Sequence, residues 1–307
     1  MYWNRLSDRL KETYGGKVYK LSLSSGCSCP NRDGTLGSRG CIFCDGAGAF
    51  AEVGDISTQL QAAKRWVAAK AGAHPRYIAY FQSFTNTYAP VEDLEPLYRA
   101  ALAPEDVVAL SIATRPDCLP EDVVALLRRC AARKPVWVEL GLQTIHPATA
   151  QLIRRGYPLP VFDRAVERLK AAGLTVVVHQ ILGLPGETPE QMVETTRYIG
   201  RSGADGIKFH LLHVLRGTDL ERLWQAGQCP VLSLEEYIAV LEQCVRALPR
   251  QVVIHRLTGD GAKRDLLAPL WSGDKKRVMN AIHAAFLRDD VEQGSDALPT
   301  PEQELHL

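Results

Sequence analysis

Three cysteines on one glycine-rich loop are the residues of this sequence best suited to chemistry. Eleven residues separate Cys29 from Cys41 and two separate Cys41 from Cys44, in the stretch Cys-Pro-Asn-Arg-Asp-Gly-Thr-Leu-Gly-Ser-Arg-Gly-Cys-Ile-Phe-Cys. A C-x-x-C pair lets two thiolates reach one metal centre from a single turn, and a third thiolate leaves one tetrahedral position without a protein ligand. The spacing therefore predicts a reactive metal site, with a closed structural zinc site as the alternative.

The remaining cysteines of the eight carry weaker signals. Cys27 adds a fourth thiol two residues before Cys29, either as a bystander or as an alternative ligand when the metal site is damaged. Cys130 and Cys244 lie within apolar helical patterns, which indicates small buried hydrophobic residues.

Composition bounds the class of protein. The 307 residues are 46% hydrophobic and 23% charged with a net charge of +1, which is typical of a globular protein without a global field for nucleic acid or membrane. We find no apolar run of roughly 18 residues and no apolar segment of the kind a signal peptide needs. We therefore expect a cytoplasmic protein, in which cysteines stay reduced, and no membrane contact.

Strand-like apolar runs alternate with amphipathic helical segments along the chain, which predicts an α/β fold. Six βα units indicate a partial (βα)6 TIM-like barrel, and because eight are needed for closure, a barrel open at one side that admits a large substrate. Polar residues follow each strand and would meet at one mouth, and Glu139 and Gln143 share the parity that places them on one face. The predicted strands are 18–23, 77–81, 107–113, 136–143, 174–182 and 206–213.

We divide the chain into three segments. Residues 1–215 form the barrel with the cysteine loop at 27–45, and residues 216–290 form a C-terminal α/β extension that closes the barrel. Residues 291–307 have too little apolar content to pack, which predicts a mobile tail.

Several motifs together resemble a radical S-adenosylmethionine (SAM) enzyme. They are the three-cysteine loop after the first strand, the polar exit of the second strand, Glu-Leu-Gly-Leu-Gln ending at Gln143, and Ile-Leu-Gly-Leu-Pro-Gly-Glu around Gly183. The chain resembles most closely a group that also shares Thr-Arg-Pro-Asp-Cys, His-Leu-Leu-His-Val and His-Arg-Leu-Thr-Gly-Asp-Gly, and that is related to the radical SAM domain of the Elongator catalytic subunit. The similarity spans about residues 1 to 290.

The resemblance implies a [4Fe-4S] cluster on Cys29, Cys41 and Cys44, and SAM at the open iron. It also implies reductive cleavage of SAM to a 5′-deoxyadenosyl radical, with a flavodoxin- or ferredoxin-like electron donor. A guanidinium at Arg155 would bind a carboxylate of SAM in bidentate fashion. The implied SAM-binding residues are Gln82, Ser83, Thr114, Glu139, Gln143, Arg155, Gly183, His210 and Leu211.

Two further assignments stay open at this point. Glu139 either touches SAM or pairs with a basic residue inside the barrel, because an unpaired buried carboxylate is costly. His255 and Arg256 either face the substrate or form a hydrogen-bonded corner, and of the histidines at the sixth strand we favour His213 as nearer the mouth.

The predicted class of substrate rests on a local cluster of basic residues and on analogy with the Elongator relatives. Lys275, Lys276 and Arg277 form a short basic run that is either a solvated face or a grip on phosphates, which makes tRNA a candidate partner. We expect tRNA modification, at the wobble uridine or its 5-substituent. The alternatives are a radical SAM enzyme for a small metabolite or cofactor precursor, and a metal-stabilised binding protein without catalysis.

Overall fold

The computed structural model of the chain describes residues 3–46, 54–259, 261 and 263–297. Nine strands are assigned within these ranges: β1 (Val18–Leu23), β2 (Arg76–Phe81), β3 (Val107–Thr114), β4 (Val136–Gln143), β5 (Thr175–Leu182), β6 (Gly206–Leu211), β7 (Val214–Leu215), β8 (Val253–Arg256) and β9 (Leu266–Ala268). The α-helices in the same ranges are α1 (Leu6–Tyr14), α2 (Ile56–Val67), α3 (Val91–Leu102), α4 (Glu121–Ala131), α5 (Pro147–Leu152), α6 (Leu159–Ala171), α7 (Pro189–Arg201), α8 (Asp219–Gln225), α9 (Leu234–Ala247) and α10 (Lys275–Arg288). Short 3-10 turns occupy Ala68–Lys70 and Leu270–Gly273.

Helix ends follow local sequence signals. Thr188 and Gln191 form a capping box at the start of α7, and Ser233 and Glu236 form another at α9. In a capping box two backbone N–H groups that lack intrahelical acceptors are satisfied reciprocally, which fixes where the helix begins. These signals place the helices between successive strands.

One parallel sheet of seven strands forms the body of the protein, in the order β1-β2-β3-β4-β5-β6-β8. The sheet curls, since the Lys20 ammonium of β1 lies 2.8 Å from the Glu139 carboxylate of β4, and the His255 ring of β8 packs 5.3 Å from Trp137 of β4. The predicted partial barrel is confirmed. The predicted C-terminal extension contributes β8, which pairs with β6.

The barrel is open between its edge strands, because the described residues of β1 and β8 form no ladder with each other. We call this opening the seam. A pocket of about 570 Å³ lies along it, lined by residues from α1, β1, β8 and α10. The sheet thus has the lateral slot that six predicted units indicated.

Apolar packing covers both faces of the sheet. Outside, the helices bury a large core against the strands, in which Cys130 and Cys244 are packed as predicted. Inside, a smaller cluster that includes Leu10 of α1 and Trp137 fills the barrel. The opposite end of the interior is left for the loops at the carboxyl ends of the strands.

Two residues at the start of the segment 291–307, for which the sequence predicts a mobile tail, contact the core. Val291 is fully buried, and the Gln293 amide donates to the carbonyl oxygens of Pro249 and Val252 at 2.8 Å each. Residues 298–307 lie outside the described residues. No helix in the described part of the chain has the length and apolar content to cross a bilayer.

Candidate active site

The cysteine loop begins at the end of β1 and folds over the mouth of the barrel. Its first turn is closed by hydrogen bonds from the N–H groups of Arg32 and Asp33 to the Cys29 carbonyl oxygen, at 2.7 and 3.1 Å. The Asp33 side chain accepts a hydrogen bond from the Thr35 N–H at 2.9 Å. Gly34 has a φ of +96°, a backbone conformation that residues with a side chain rarely adopt. Asp33 and Gly34 therefore shape the turn.

Asn31 fastens this loop to the barrel and was not singled out from the sequence. Its side-chain amide donates to the Arg154 carbonyl oxygen at 2.7 Å and approaches the Cys41 sulfur at 3.5 Å. Gly156 makes room for it, because a Cβ at that position would lie 2.8 Å from Asn31 Oδ1. Asn31 thus couples the cysteines to the segment that carries Arg155.

The three cysteines are free thiols that line one cavity of about 310 Å³ inside the mouth. Burial raises the pKa of the Cys41 thiol to about 11, and the neighbouring Cys44 adds to this effect. Three thiolates that leave a fourth coordination position open match the corners of a [4Fe-4S] cluster, whereas a structural zinc site is closed by four protein ligands. The donor set therefore fits the cluster.

Two arginines provide positive charge beside the thiols. Arg32 donates to the Cys44 carbonyl oxygen at 2.7 Å, and although burial works against it, the neighbouring Cys44, Cys29 and Cys41 raise the pKa of its guanidinium. Arg115 is held by Asp117 at 2.7 Å. Cationic side chains of this kind favour thiolates over thiols. Both arginines lie in motifs that the sequence analysis quoted, but the sequence did not show that their side chains lie beside the thiols.

Cys27 does not line the cavity. It packs against the main core, and burial raises the pKa of its thiol. The bystander interpretation of Cys27 is therefore the one that the structure supports.

Most residues implied as SAM contacts converge on the cavity, and others do not. Together with the cysteines, the lining includes Gln82, Thr114, Glu139, Gln143, Arg155, His210 and also Arg256.

The remaining predicted site residues do not line this cavity. Those outside the lining are Ser83, Gly183, Leu211 and His213, and His255 lines the seam pocket instead. Gly183 faces Leu232, Leu211 belongs to the main core, and His213 lies against Gly259. Lys275, Lys276 and Arg277 are exposed in the first turn of α10.

Glu139 pairs with basic residues inside the barrel, which is the second of the two interpretations that the sequence left open for it. Its Oε1 accepts from Lys20 at 2.8 Å and from the Ser111 hydroxyl at 2.6 Å, and its Oε2 accepts from His179 at 2.8 Å and from Lys208. The carboxylate is fully buried, and four donors fill its lone pairs. Despite the desolvation, Lys20 and Lys208 hold the pKa of Glu139 well below its usual value.

Burial has the opposite effect on the bases of this network. It lowers the pKa of Lys208 to about 7, although Glu139 counteracts the shift, and it lowers the pKa of His179 to about 4. His179 is therefore neutral at pH 7 and donates its Nε2 proton to Glu139. The sequence held a signal for these residues, since Lys20 and Lys208 are charged positions within apolar strands.

Arg155 lines the cavity, but the bidentate contact expected for it is not available in this arrangement. Its Nη1 donates to the carbonyl oxygens of Leu142 and Thr144 at 3.3 and 2.6 Å, and its Nε donates to that of Tyr157 at 3.0 Å. Only Nη2 remains for a ligand. The guanidinium first closes the turn after β4, and the two N–H groups of Nη2 remain for a carboxylate.

Gln143 ends β4 in a left-handed conformation, with a φ of +65°. With its amide oriented by its neighbours, Nε2 donates to the carbonyl oxygens of Gly141 and Leu142 at 2.8 and 2.9 Å. The side-chain oxygen is then the acceptor that faces outward. A non-glycine residue held at positive φ costs about 1–3 kcal/mol, and such strain persists where a site requires it.

The fold, the cysteine loop and the cavity define a radical SAM protein, and the sequence comparison agrees. The Radical SAM superfamily matches residues 33–199, and the Radical_SAM C-terminal domain matches residues 204–288. The chain belongs to this family. It is a radical SAM enzyme whose cofactors are a [4Fe-4S] cluster and SAM, as the resemblance in the sequence implied.

Individual relatives span different shares of the chain. The uncharacterized protein YtqA of Bacillus subtilis (strain 168) is 41% identical over 285 residues, which cover 92% of this chain and 88% of that protein. The tRNA uridine(34) acetyltransferase of Methanocaldococcus infernus is 31% identical over 157 residues, which cover 50% of this chain and 29% of that protein. The solved structure of the archaeal Elp3 from the same organism, with an N-terminal deletion, superposes with a TM-score of 0.70 at 18% identity, over 90% of this chain and 64% of that one. At 18% identity this superposition supports the assignment of the fold alone.

Proposed function

We propose that this radical SAM enzyme modifies tRNA, at the wobble uridine or its 5-substituent. The observation that carries the proposal is the seam, which opens the barrel interior sideways onto a surface with exposed basic residues. Lys275 and Lys276 precede Met279, a residue of the seam pocket, by one helical turn. A nucleotide that is flipped out of an RNA loop could enter there while the phosphates remain outside.

Similarity to the tRNA uridine(34) acetyltransferase supports the same substrate class. The similarity covers 29% of that protein, so we do not extend acetyl transfer to this chain. The basic run at the start of α10 suits RNA, because lysine and arginine contacts to phosphates supply most sequence-independent affinity.

The residues of the cavity have distinct parts in this proposal. Cys29, Cys41 and Cys44 hold the cluster, while the Gln143 side-chain oxygen and Arg155 Nη2 orient SAM against it. The bound cofactors supply the one-electron chemistry that generates a 5′-deoxyadenosyl radical. The walls of the barrel keep water from that radical, and a flavodoxin- or ferredoxin-like protein is the expected electron donor.

A small metabolite or a cofactor precursor is the second candidate. The seam pocket of about 570 Å³ favours it, because that volume suits a ligand of the size of a small metabolite. The two candidates make different demands on the surface, since a metabolite needs no contact with α10.

The first experiment follows 5′-deoxyadenosine formed by anaerobically reconstituted protein with SAM and reductant. We expect product from the wild type, loss of product and of iron in Cys41→Ala, and retention of both in Cys118→Ala, a buried thiol outside the cysteine loop. A wild type that holds iron and sulfide and forms no product would contradict the enzymatic function and leave a metal-stabilised binding protein.

The substrate experiment adds total tRNA or a metabolite fraction to the same reaction. We expect tRNA to accelerate product formation and to bind in a salt-sensitive manner, weakened by changing Lys275, Lys276 and Arg277 to Ala. The matched control changes to Ala the exposed arginines Arg128 and Arg129, in the last turn of α4, and Arg133, two residues after the helix. Equal binding by both triple variants would count against the basic run of α10 as the binding surface, and acceleration by the metabolite fraction alone would reject tRNA.

A further inference from the structure

His210 and Arg256 form a hydrogen-bonded pair inside the barrel, at the wall of the cavity that also holds the cysteines. His210 lies on β6, two residues after Lys208, and Arg256 ends β8 opposite Lys208 in the ladder. Arg256 Nη2 lies 3.0 Å from His210 Nδ1. Because a guanidinium is always a donor, Nδ1 must accept this bond. The proton of the neutral imidazole is therefore on Nε2.

Each member of the pair has a buried donor that lacks an acceptor. His210 Nε2 and Arg256 Nε are both inaccessible to solvent, and neither has a hydrogen-bond partner within the described part of the chain. Leaving a buried donor unsatisfied costs about 1–3 kcal/mol, and native structures contain few such groups. Both residues line the cavity that also holds the cysteines. Two orphaned N–H groups in one cavity indicate a ligand that brings oxygen acceptors.

The charge around the pair specifies the kind of acceptor. Lys20, Lys208 and Arg256 face the interior, and the carboxylate that balances them is Glu139, whose lone pairs are already filled. Protonated lysines would leave an excess of positive charge among these buried groups, where an uncompensated charge is costly. An anionic oxygen group would relieve both the charge and the missing acceptors.

The position of Arg256 connects this group to the seam. Arg256, Tyr80 and Gln82 line both the cavity with the cysteines and the seam pocket, so they form the junction between the two. The cysteines take no part in the lining of the seam pocket. A molecule that enters through the seam therefore meets Arg256 without displacing anything bound at the cysteines.

Gly259, three residues after the end of β8, lies close to the pair. A Cβ at Gly259 would lie 3.1 Å from Arg256 Nη2 and 3.8 Å from His210 Nδ1. Glycine at this position lets the backbone approach the pair from the side of Nδ1 and Nη2. The unsatisfied Nε2 and Nε are left for the ligand.

We propose that His210 Nε2 and Arg256 Nε bind an anionic oxygen group, a carboxylate or a phosphate, of the molecule that this enzyme modifies. The inference deepens the proposed function, since it concerns the second substrate of the same site. It also predicts that substrates without an anionic group near the reacting carbon bind poorly. The group could otherwise come from the carboxylate of SAM, and the experiment separates the two sources.

The test measures binding of inorganic phosphate and of acetate to the reconstituted holoenzyme by anaerobic calorimetry, with and without saturating SAM. We expect binding that persists with SAM and weakens at least tenfold in Arg256→Gln. Arg256→Lys keeps the charge but lacks the Nε donor, so we expect an intermediate loss and a folded protein. Arg250→Gln, an exposed arginine paired with Glu292, is the control and should bind as the wild type does.

Two results would overturn the inference. One is an affinity for both anions that stays within twofold in Arg256→Gln and Arg256→Lys. The other is competition between SAM and phosphate together with a tenfold loss of SAM affinity in Arg256→Gln, which would assign the pair to the cofactor. Neither result depends on RNA, so a wild type that binds phosphate and yet ignores tRNA would count against the proposed function alone.

Discussion

Replacing Glu139 by glutamine tests whether the centre of the barrel is ionised. The carboxylate accepts four hydrogen bonds, two of them from Lys20 and Lys208, and it is fully buried. Glutamine keeps the shape and removes the charge, so the two ammonium groups lose their counterion. Removing one partner of a buried ion pair costs about 3–5 kcal/mol of unfolding free energy. We expect a loss in that range near pH 5.5.

The pH dependence follows from Lys208, whose pKa is lowered to about 7 in the folded protein. Between about pH 7 and 10 Lys208 is neutral when folded and protonated when unfolded, so wild type and Glu139→Gln gain stability together as pH rises. Below pH 7 the wild type takes up the proton beside Glu139, and the variant cannot. The difference then grows by about 1.4 kcal/mol per pH unit, or about 2 kcal/mol between pH 8.5 and 5.5.

Glu139 itself stays ionised through this range, because its pKa lies well below the usual value and its contribution is lost only as pH falls through that lower pKa. Anaerobic urea unfolding followed by circular dichroism at the two pH values gives the difference. Glu95→Gln, in an exposed ion pair with Arg129, is the matched control and should cost no more than about 1 kcal/mol. A difference between Glu139→Gln and wild type that is equal at both pH values would refute the ionised network.

Two further substitutions test the mouth of the barrel. Gly156→Ala, which places a Cβ 2.8 Å from Asn31 Oδ1 at a φ of +83°, should lower cluster retention measured as iron per chain. Gly173→Ala, at a φ of +72° with open space around it, should cost about 1–2 kcal/mol of stability and leave the iron content unchanged. Equal iron loss in both would remove the role given to Asn31. Gln143→Gly should raise the thermal midpoint by relieving the strained φ, yet weaken SAM binding in equilibrium dialysis; unchanged SAM affinity would exclude the side chain as a contact.

Much of the site was encoded in short sequence patterns. The spacing of Cys29, Cys41 and Cys44 and the shared parity of Glu139 and Gln143 were enough to predict that they meet at one mouth, and they line one cavity. This works because parallel strands all end at the same edge and alternate residues share a face. The αβ alternation likewise predicted the curled parallel sheet and its open side.

The tertiary structure alone determined which distant residues pair. Arg155 donates to carbonyl oxygens of its own loop, and Gln293 donates to carbonyl oxygens after α9. The polar sequence around Gln293 gave no sign of this contact. Glu139 was left with two interpretations until Lys20, on β1, and Lys208, on β6, were brought to it by the curl of the sheet.

The sequence by itself determined which elements form and which chemistry they carry, because strand periodicity, helix caps and cysteine spacing are local properties. Tertiary structure determined which donors each polar group satisfies, because hydrogen bonds and charges act at about 3 Å between residues far apart in the chain. The orphaned donors of His210 and Arg256 belong to this second class. They depend on the pairing of β6 with β8, which the sequence does not show.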